Sequence, residues 1–146
     1  MNGYDDTIRM TDSFLASIIG QLRDSRSAMF YLSDHGIAVC DNGSQTHGSA
    51  FFKAEYRPSC VAWASDSFLD DAKNAGRFEQ GKNHTGAPVT SEYAFHSFLD
   101  LCGVQTEKLD HTKSLFSPDM VVPHEIKVED FLGRWHKFSE VPDNPN

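Results

Sequence analysis

The sequence predicts an α/β fold, because two stretches with helical spacing of apolar residues flank two short, continuous apolar runs typical of strands. The order helix, strand, strand, helix is typical of a piece of a layered α/β structure. The chain has 146 residues, 39% of them hydrophobic and 23% charged, which is the composition of a globular protein with a core. We therefore expect a single domain over residues 1–146.

The first helix is predicted over residues 4–22, where apolar residues recur at helical spacing and Asp5 and Asp6 suit the N-terminal dipole. The apolar run 28–32 does not alternate, which predicts a strand buried on both faces. This strand ends at the polar segment 33–36. Open α/β sheets bind ligands at the carboxyl ends of their strands, so this segment is a candidate site.

The region after this segment is predicted to be a loop over residues 37–58, because Asp-Asn-Gly-Ser at 41–44 is a strong turn signal. Residues 61–64 predict a second buried strand. The polar, glycine-containing stretch 70–88 is expected to be the most flexible part of the chain. Apolar residues within 126–135 indicate a short terminal strand or helix.

The second helix is predicted to begin at Thr90 or Ser91 and to close at Gly103. Its expected apolar side comprises Ala94, Phe95, Phe98, Leu99, Leu101 and Cys102.

Charge and composition exclude several classes of function. The formal net charge of -8 argues against binding of nucleic acid, or of an anionic membrane by charge alone, since both need a basic surface. No apolar run is long enough for a membrane span, and the start has no signal-peptide pattern, so we expect a soluble chain. Cys40, Cys60 and Cys102 allow either one disulfide and a free thiol or three buried thiols.

The candidate chemistry lies in Ser33-Asp34-His35-Gly36, followed twelve residues after His35 by His47. Adjacent aspartate and histidine offer an oxygen and an imidazole nitrogen, which are ordinary zinc ligands. Gly36 is expected to let the chain bend so that both side chains face inward. Taken alone, such a pair is more often a surface turn than a metal site.

The remaining histidines give weaker signals. His96 lies within an apolar helix and is expected to be buried and hydrogen-bonded, whereas His84 is expected to be a solvated loop residue. No role is assigned to His111, His124 or His136. Cys40 near His47 is weak evidence for a nucleophile without an orienting partner.

Several strings, in order, resemble the phosphoethanolamine transferases of the alkaline phosphatase/sulfatase superfamily. They are Tyr-Asp-Asp-Thr-Ile at 4–8, Tyr-Leu-Ser-Asp-His-Gly at 31–36, the following His-Gly, Cys-Val-Ala-Trp at 60–63 and the helix at 91–99. The resemblance is strongest over residues 4–104, with 105–146 as a C-terminal extension. It implies the C-terminal part of a three-layer α/β/α sandwich around a mostly parallel sheet.

The resemblance also implies site roles. Asp34 and His35 would ligate the catalytic zinc, and His47 would bind a second metal or the transferred phosphoryl group. The nucleophilic threonine of the family is expected upstream of this chain, so no catalytic residue is assigned within it and the chain alone is expected to be inactive. The intact enzyme would move the head group of a phospholipid to a lipid A or glycan acceptor through a phospho-threonine intermediate, at the periplasmic face of the inner membrane.

Two alternatives stay open. A sulfatase or phosphodiesterase of the same superfamily would use the same Asp-His pair. A non-catalytic remnant or interaction domain is favoured by the missing nucleophile and by Ile37, which stands where the family has glutamate. A partial sheet has unpaired edges, so self-association of the chain is also expected.

Overall fold

The structure, a computed structural model, describes residues 3–39, 45–46 and 51–143. Its helices are α1 (Gly3–Leu22), α2 (Asp66–Leu69), α3 (Ala72–Asn83) and α4 (Glu92–Leu101). Its strands are β1 (Ala28–Leu32), β2 (Ala38–Val39), β3 (Gln45–Thr46), β4 (Cys60–Ala64), β5 (Lys127–Glu129) and β6 (Trp135–Lys137). Short 3₁₀ helices occupy Lys53–Tyr56, His111–Lys113 and Phe138–Glu140. None of the helices in the described part of the chain is both long and apolar enough to cross a bilayer.

The predicted first helix and both strands are present, which confirms a mixed α/β structure. β1 pairs antiparallel with β4, with Ala28 opposite Ala64 and Leu32 opposite Cys60. The prediction that both strands are buried is wrong: β1 is half-buried, and β4 is exposed over its first three residues. Within the described residues this sheet has only two strands, so no further strand covers their outer edges.

The prediction of a flexible stretch over 70–88 is also wrong, because α3 occupies most of it. The Asp71 side chain caps the helix by accepting bonds from the backbone amides of Lys73 (2.9 Å) and Asn74 (3.3 Å). The bond from the Asn74 amide, followed by that from the Lys73 amide, holds the pKa of the Asp71 carboxyl below its usual range. The cap satisfies backbone amides of the first turn and so stabilises the start of a helix in a polar sequence.

Aromatic packing holds α3 against the rest of the chain. The Phe78 ring lies between the rings of Phe68 and Phe116, at centroid distances of 6.1 and 5.5 Å. Gly81 gives Phe116 room, since a Cβ at this position would come within 2.9 Å of the ring. The glycine that suggested a loop therefore serves helix packing.

The second predicted helix is confirmed as α4, and it closes at Gly103, whose φ of +70° suits the end of a helix. Its buried side, however, is not the predicted apolar one. Phe95 and Phe98 are more than half exposed. The buried residues are Tyr93, His96, Ser97, Asp100 and Leu101.

Polar contacts explain the orientation of α4. The segment after the helix runs back along it: the Asp110 amide donates to His96 Nδ1 (3.1 Å) and the Leu115 amide donates to Ser97 Oγ (2.9 Å). Ser114 donates its hydroxyl to the Asp100 carboxylate at 2.8 Å. Because each buried polar group has a partner, burial of this face costs little, and the prediction that His96 is buried and hydrogen-bonded is confirmed.

The predicted terminal element is the hairpin of β5 and β6, with Val128 opposite His136. The predicted loop 37–58 contains the short β2–β3 pair and the 3₁₀ helix Lys53–Tyr56. Cys60 and Cys102 are free, exposed thiols, so the alternative of three buried thiols is wrong; Cys40 lies outside the described residues.

Candidate functional site

Asp34 and His35 follow directly after β1 and line a cleft of about 790 Å³. One wall of the cleft comes from α1, including Thr7, Ile8 and Thr11. The opposite wall comes from the 3₁₀ helix Lys53–Tyr56 and the residues after it. The carboxyl end of β1, where the sequence predicted a ligand site, therefore opens into this cleft.

The loop that carries the pair is fixed to the segment before β4. The Ser33 amide donates to the Ser59 carbonyl (2.9 Å), and the Ser59 amide donates back to Ser33 Oγ (2.8 Å). Directly after the pair, the Gly36 amide donates to the Glu55 carbonyl (2.9 Å). Asp34 and His35 are thus held between two anchored points, and Ser33, to which the sequence analysis assigned no role, supports them.

Gly36 is required for close approach and not for a bend. Its φ lies outside the left-handed region, which among the described glycines is adopted by Gly86, Gly103 and Gly133. A Cβ at Gly36 would overlap the Ala54 carbonyl oxygen and lie 2.8 Å from the Arg57 carbonyl oxygen. The loop therefore touches the backbone of the 3₁₀ helix at a point where only glycine fits.

The segment opposite the loop is itself tied to the terminal hairpin. The Tyr56 hydroxyl donates to the Glu129 carbonyl at 2.9 Å. Burial, followed by the negative charges of Glu55 and Asp130, raises the pKa of the Tyr56 phenol above its ordinary value. The phenol therefore keeps its proton, and with it this bond, to a higher pH than an ordinary tyrosine does.

The Asp34–His35 pair has a defined local geometry. The His35 backbone amide donates to Asp34 Oδ1 (3.0 Å), and the ring nitrogen His35 Nε2 lies 3.7 Å from Asp34 Oδ2. His35 Nδ1 lies 2.8 Å from the Gly36 carbonyl oxygen. Because a carbonyl oxygen only accepts, Nδ1 must carry the ring proton, and Nε2 of the neutral ring then carries the lone pair.

This geometry fits two ligands of one zinc ion. Metal-bound histidines commonly donate their other ring nitrogen to a carbonyl or carboxylate, as Nδ1 does here. Zinc bonds of about 2.0 Å in a tetrahedron place neighbouring donors roughly 3.3 Å apart, close to the observed separation. The Asp34 side chain is 88% exposed and that of His35 is 41% exposed, so an ion can reach both.

The pair is not a complete metal site by itself. Among the residues that the structure describes, no three His, Cys, Asp or Glu side chains are grouped as metal ligands would be. The third predicted ligand, His47, lies outside the described residues, so its place beside Asp34 and His35 stays a prediction.

Two cations line the same cleft and were missed at the level of sequence, where they fell in a predicted loop. Lys53 Nζ lies 3.1 Å from Asp143 Oδ1, and the Arg57 guanidinium stacks over the Phe138 ring at 5.5 Å. The lining also carries the carboxylates of Asp12 and Asp143, so the two cations offset negative charge around the Asp-His pair.

None of the other histidines in the described part of the chain lines this cleft. His84 was expected to be solvated, but it is half-buried and its Nδ1 lies 2.8 Å from the Leu115 carbonyl oxygen, so that expectation is wrong. His111 approaches Asp100 at 3.6 Å, and His136 bonds to Asp130 at 2.9 Å. Among the described histidines only His35 lines the cleft.

Comparison with known proteins gives a consistent result. Residues 1–104 match the family model described as Sulfatase. The chain is 32% identical over 92 residues to the Kdo(2)-lipid A phosphoethanolamine 7''-transferase of Escherichia coli, and 31% identical over 92 residues to that of Salmonella typhimurium. Each match covers 61% of this chain and 16% of the relative. This chain is also 29% identical over 104 residues to phosphoethanolamine transferase EptA of Helicobacter pylori. That match covers 68% of this chain and 18% of that protein.

These matches confirm the predicted resemblance and, with it, the predicted alkaline-phosphatase-like α/β fold class. The chain spans about one sixth of the length of the curated relatives that it matches. No solved structure matches it significantly.

Proposed function

Because this chain belongs to the Sulfatase family, we propose that it supplies two zinc ligands, Asp34 and His35, to a phosphoethanolamine transferase. The observation that carries the proposal is the ring orientation of His35, whose Nδ1 is held by the Gly36 carbonyl oxygen so that Nε2 serves as the donor beside Asp34. Similarity to three curated phosphoethanolamine transferases supports the transferase over a sulfatase.

The chemistry that zinc supplies when bound is polarisation of phosphoryl oxygens and a lower pKa for the attacking hydroxyl. Asp34 and His35 hold the ion, and His47 is proposed as a further ligand or as a donor to the transferred phosphoryl group. Lys53 and Arg57, across the same cleft, offset the carboxylates of Asp12 and Asp143, which lowers the repulsion of an anionic group that approaches the ion. The nucleophile is proposed to be a threonine that is not assigned to any position of this chain, and the phosphoryl group would pass through a phospho-threonine.

The proposed donor is a phospholipid and the proposed acceptor is lipid A or a glycan, since two relatives are named for transfer to Kdo(2)-lipid A. With these substrates, the proposed location of the activity is the periplasmic face of the inner membrane. The threonine would displace diacylglycerol from the phospholipid, and the acceptor hydroxyl would then displace the threonine from phosphorus and release it for another cycle.

The first test follows zinc binding at the individual histidines. The chain has seven histidines, and long-range ¹H–¹⁵N spectra distinguish their ring nitrogens. We expect His35 to be protonated at Nδ1 in the zinc-free chain, and its Nε2 resonance to shift at lower zinc concentration than any histidine other than His47. Replacing Asp34 with alanine should weaken zinc binding at His35 by at least the roughly 10- to 100-fold cost of losing an outer hydrogen-bond partner.

The matched control is the double variant Asp119→Ala/His124→Ala, which removes an exposed carboxylate and an exposed imidazole elsewhere. It should bind zinc as the wild type does, whereas Asp34→Ala/His35→Ala should lose the zinc detected by elemental analysis. If His35 shifts no earlier than His84 or His124 on zinc addition, the proposed metal site is wrong.

A non-catalytic interaction domain is the second candidate, and the high exposure of Asp34 together with Ile37 favours it. It makes the opposite prediction for the same variant. Under this candidate, Asp34→Ala/His35→Ala would leave zinc content, stability and partner binding unchanged.

A further inference from the structure

The hairpin of β5 and β6 presents three large apolar side chains at and next to its turn. Phe131 and Leu132 are each 61% exposed, and Trp135 is 66% exposed. The hairpin lies beyond residue 104, where the family match ends. A group of exposed apolar side chains within five residues is a common mark of an interaction site.

The turn is rigid, because one buried carboxylate organises it. Asp130 Oδ1 accepts bonds from the backbone amides of Leu132 (2.9 Å) and Arg134 (3.0 Å). The Gly133 amide donates to the Asp130 carbonyl (2.9 Å), and the Asp130 amide donates to the Arg134 carbonyl (2.9 Å). Gly133 has a φ of +76°, as this type of hairpin turn requires. Phe131 and Leu132 are therefore held outward and cannot collapse onto the domain.

The same bonds lower the cost of bringing the turn into lipid. Backbone amides that leave water without a partner cost several kcal/mol each in an apolar medium. Here four amides at the turn, those of Asp130, Leu132, Gly133 and Arg134, are bonded within the hairpin. The Asp130 charge is matched by Arg134 Nε at 2.8 Å and His136 Nε2 at 2.9 Å.

We propose that this turn inserts into the interface of a zwitterionic phospholipid bilayer, with Phe131 and Leu132 entering the acyl boundary. Trp135 next to the turn suits the headgroup level, where amphipathic aromatic side chains collect. The Arg134 side chain is 63% exposed, and with the turn inserted its guanidinium would reach the lipid phosphates. The net charge of -8 makes an anionic bilayer a poor partner, so charge selects zwitterionic lipid.

A bilayer fits this feature better than a protein partner does, because the apolar side chains stand on the tip of a turn and not on a flat face or in a groove. A second copy of the chain would need a concave apolar surface to receive them. The proposal is independent of the metal site, since no residue of the hairpin lines the cleft.

The test uses the full chain with vesicles of phosphatidylcholine and phosphatidylethanolamine. We expect the protein to cosediment with them, and expect Trp135 emission to shift to shorter wavelength in a Trp63→Phe background, where Trp135 is the remaining tryptophan. The double variant Phe131→Ser/Leu132→Ser keeps Asp130 and Gly133. It should lower the vesicle partition coefficient roughly tenfold or more, from the apolar area that it removes.

The control variant Phe95→Ser/Phe98→Ser removes two side chains of similar exposure from α4 and should bind vesicles as the wild type does. Asp34→Ala/His35→Ala should also bind normally, which separates this proposal from the proposed function. Failure of the wild type to bind, equal loss in both serine variants, or preference for vesicles with phosphatidylglycerol would overturn it. So would a wild-type dimer, seen by sedimentation without vesicles, that Phe131→Ser/Leu132→Ser converts to a monomer.

Discussion

Replacing Gly36 with alanine is expected to lower the free energy of unfolding by about 3 kcal/mol or more, the upper range for forcing extra atoms into a packed site. The added Cβ would overlap the Ala54 carbonyl oxygen and crowd that of Arg57. Both obstacles are backbone atoms, which cannot rotate away as the end of a side chain would. Urea unfolding, followed by circular dichroism, measures the loss as a lower midpoint.

A second glycine provides the matched control. Gly76 lies in α3, and a Cβ there would meet no atom within 4 Å. Gly76→Ala should therefore raise the free energy of unfolding by roughly 0.5–1 kcal/mol, because alanine is the better helix former. An equal midpoint for Gly36→Ala and the wild type would show that the loop does not lie against the 3₁₀ helix.

Gly36→Ala should also disturb the Asp34–His35 pair. Relief of the overlap requires the loop to move away from the 3₁₀ helix, which breaks the bond from the Gly36 amide to the Glu55 carbonyl. The Gly36 carbonyl then no longer holds His35 Nδ1. If the proposed metal site is correct, the zinc affinity of His35 falls in Gly36→Ala and stays unchanged in Gly76→Ala.

Much of the fold was predictable because the relevant signals are local. The periodicity of α1 and α4 and the apolar runs of β1 and β4 each gave an element within a few residues of its observed bounds. The helix α3 was not predicted, since its composition is polar and its stability comes from a cap at Asp71 and from aromatic contacts of Phe78. Such contacts join distant parts of the chain and leave no periodic pattern.

The orientation of α4 was mispredicted for a related reason. Periodicity assigns the apolar side of a helix to the core, but here the buried side carries His96, Ser97 and Asp100. Their partners lie in 110–117, and a sequence does not show in advance that such partners will be present.

The candidate site was predictable only in part. Adjacency in the sequence placed Asp34 and His35 together, and the end of an apolar strand indicated the edge at which they lie. The cations Lys53 and Arg57 reach the same cleft through the packing of the 3₁₀ helix against Gly36. That packing depends on a close approach of two backbones. In the sequence, Gly36 is the only sign of it.

Replacing Asp130 with asparagine is expected to lower the melting temperature at neutral pH by roughly 5 °C or more for a domain of this size. The Asp130 side chain is 2% exposed and accepts four hydrogen bonds, two from backbone amides and two from Arg134 Nε and His136 Nε2. An amide has one oxygen, so its nitrogen must face two of these donors. Differential scanning calorimetry measures the change, and the exposed Asp119→Asn is the control expected to melt as the wild type does.

The pH dependence of the difference in melting temperature tests whether the charge of Asp130 causes it. Burial alone would raise the pKa of the Asp130 carboxyl, but bonds from Arg134, His136 and Leu132 outweigh it and hold the pKa well below its usual range. A carboxyl with a lowered folded-state pKa stabilises the fold above its unfolded pKa of about 3.9, and that contribution is lost as the pH falls below it. The gap in melting temperature between wild type and Asp130→Asn should therefore be full near about pH 5 and narrow toward about pH 3. The pKa values of Asp71, Asp110 and Glu125 are also lowered, so these carboxylates also contribute less stability in acid. This loss of stability is common to both proteins and cancels in the comparison. A gap that stays constant over this range would mean that the charge of Asp130 does not stabilise the hairpin, and that its contribution comes from shape and neutral hydrogen bonds.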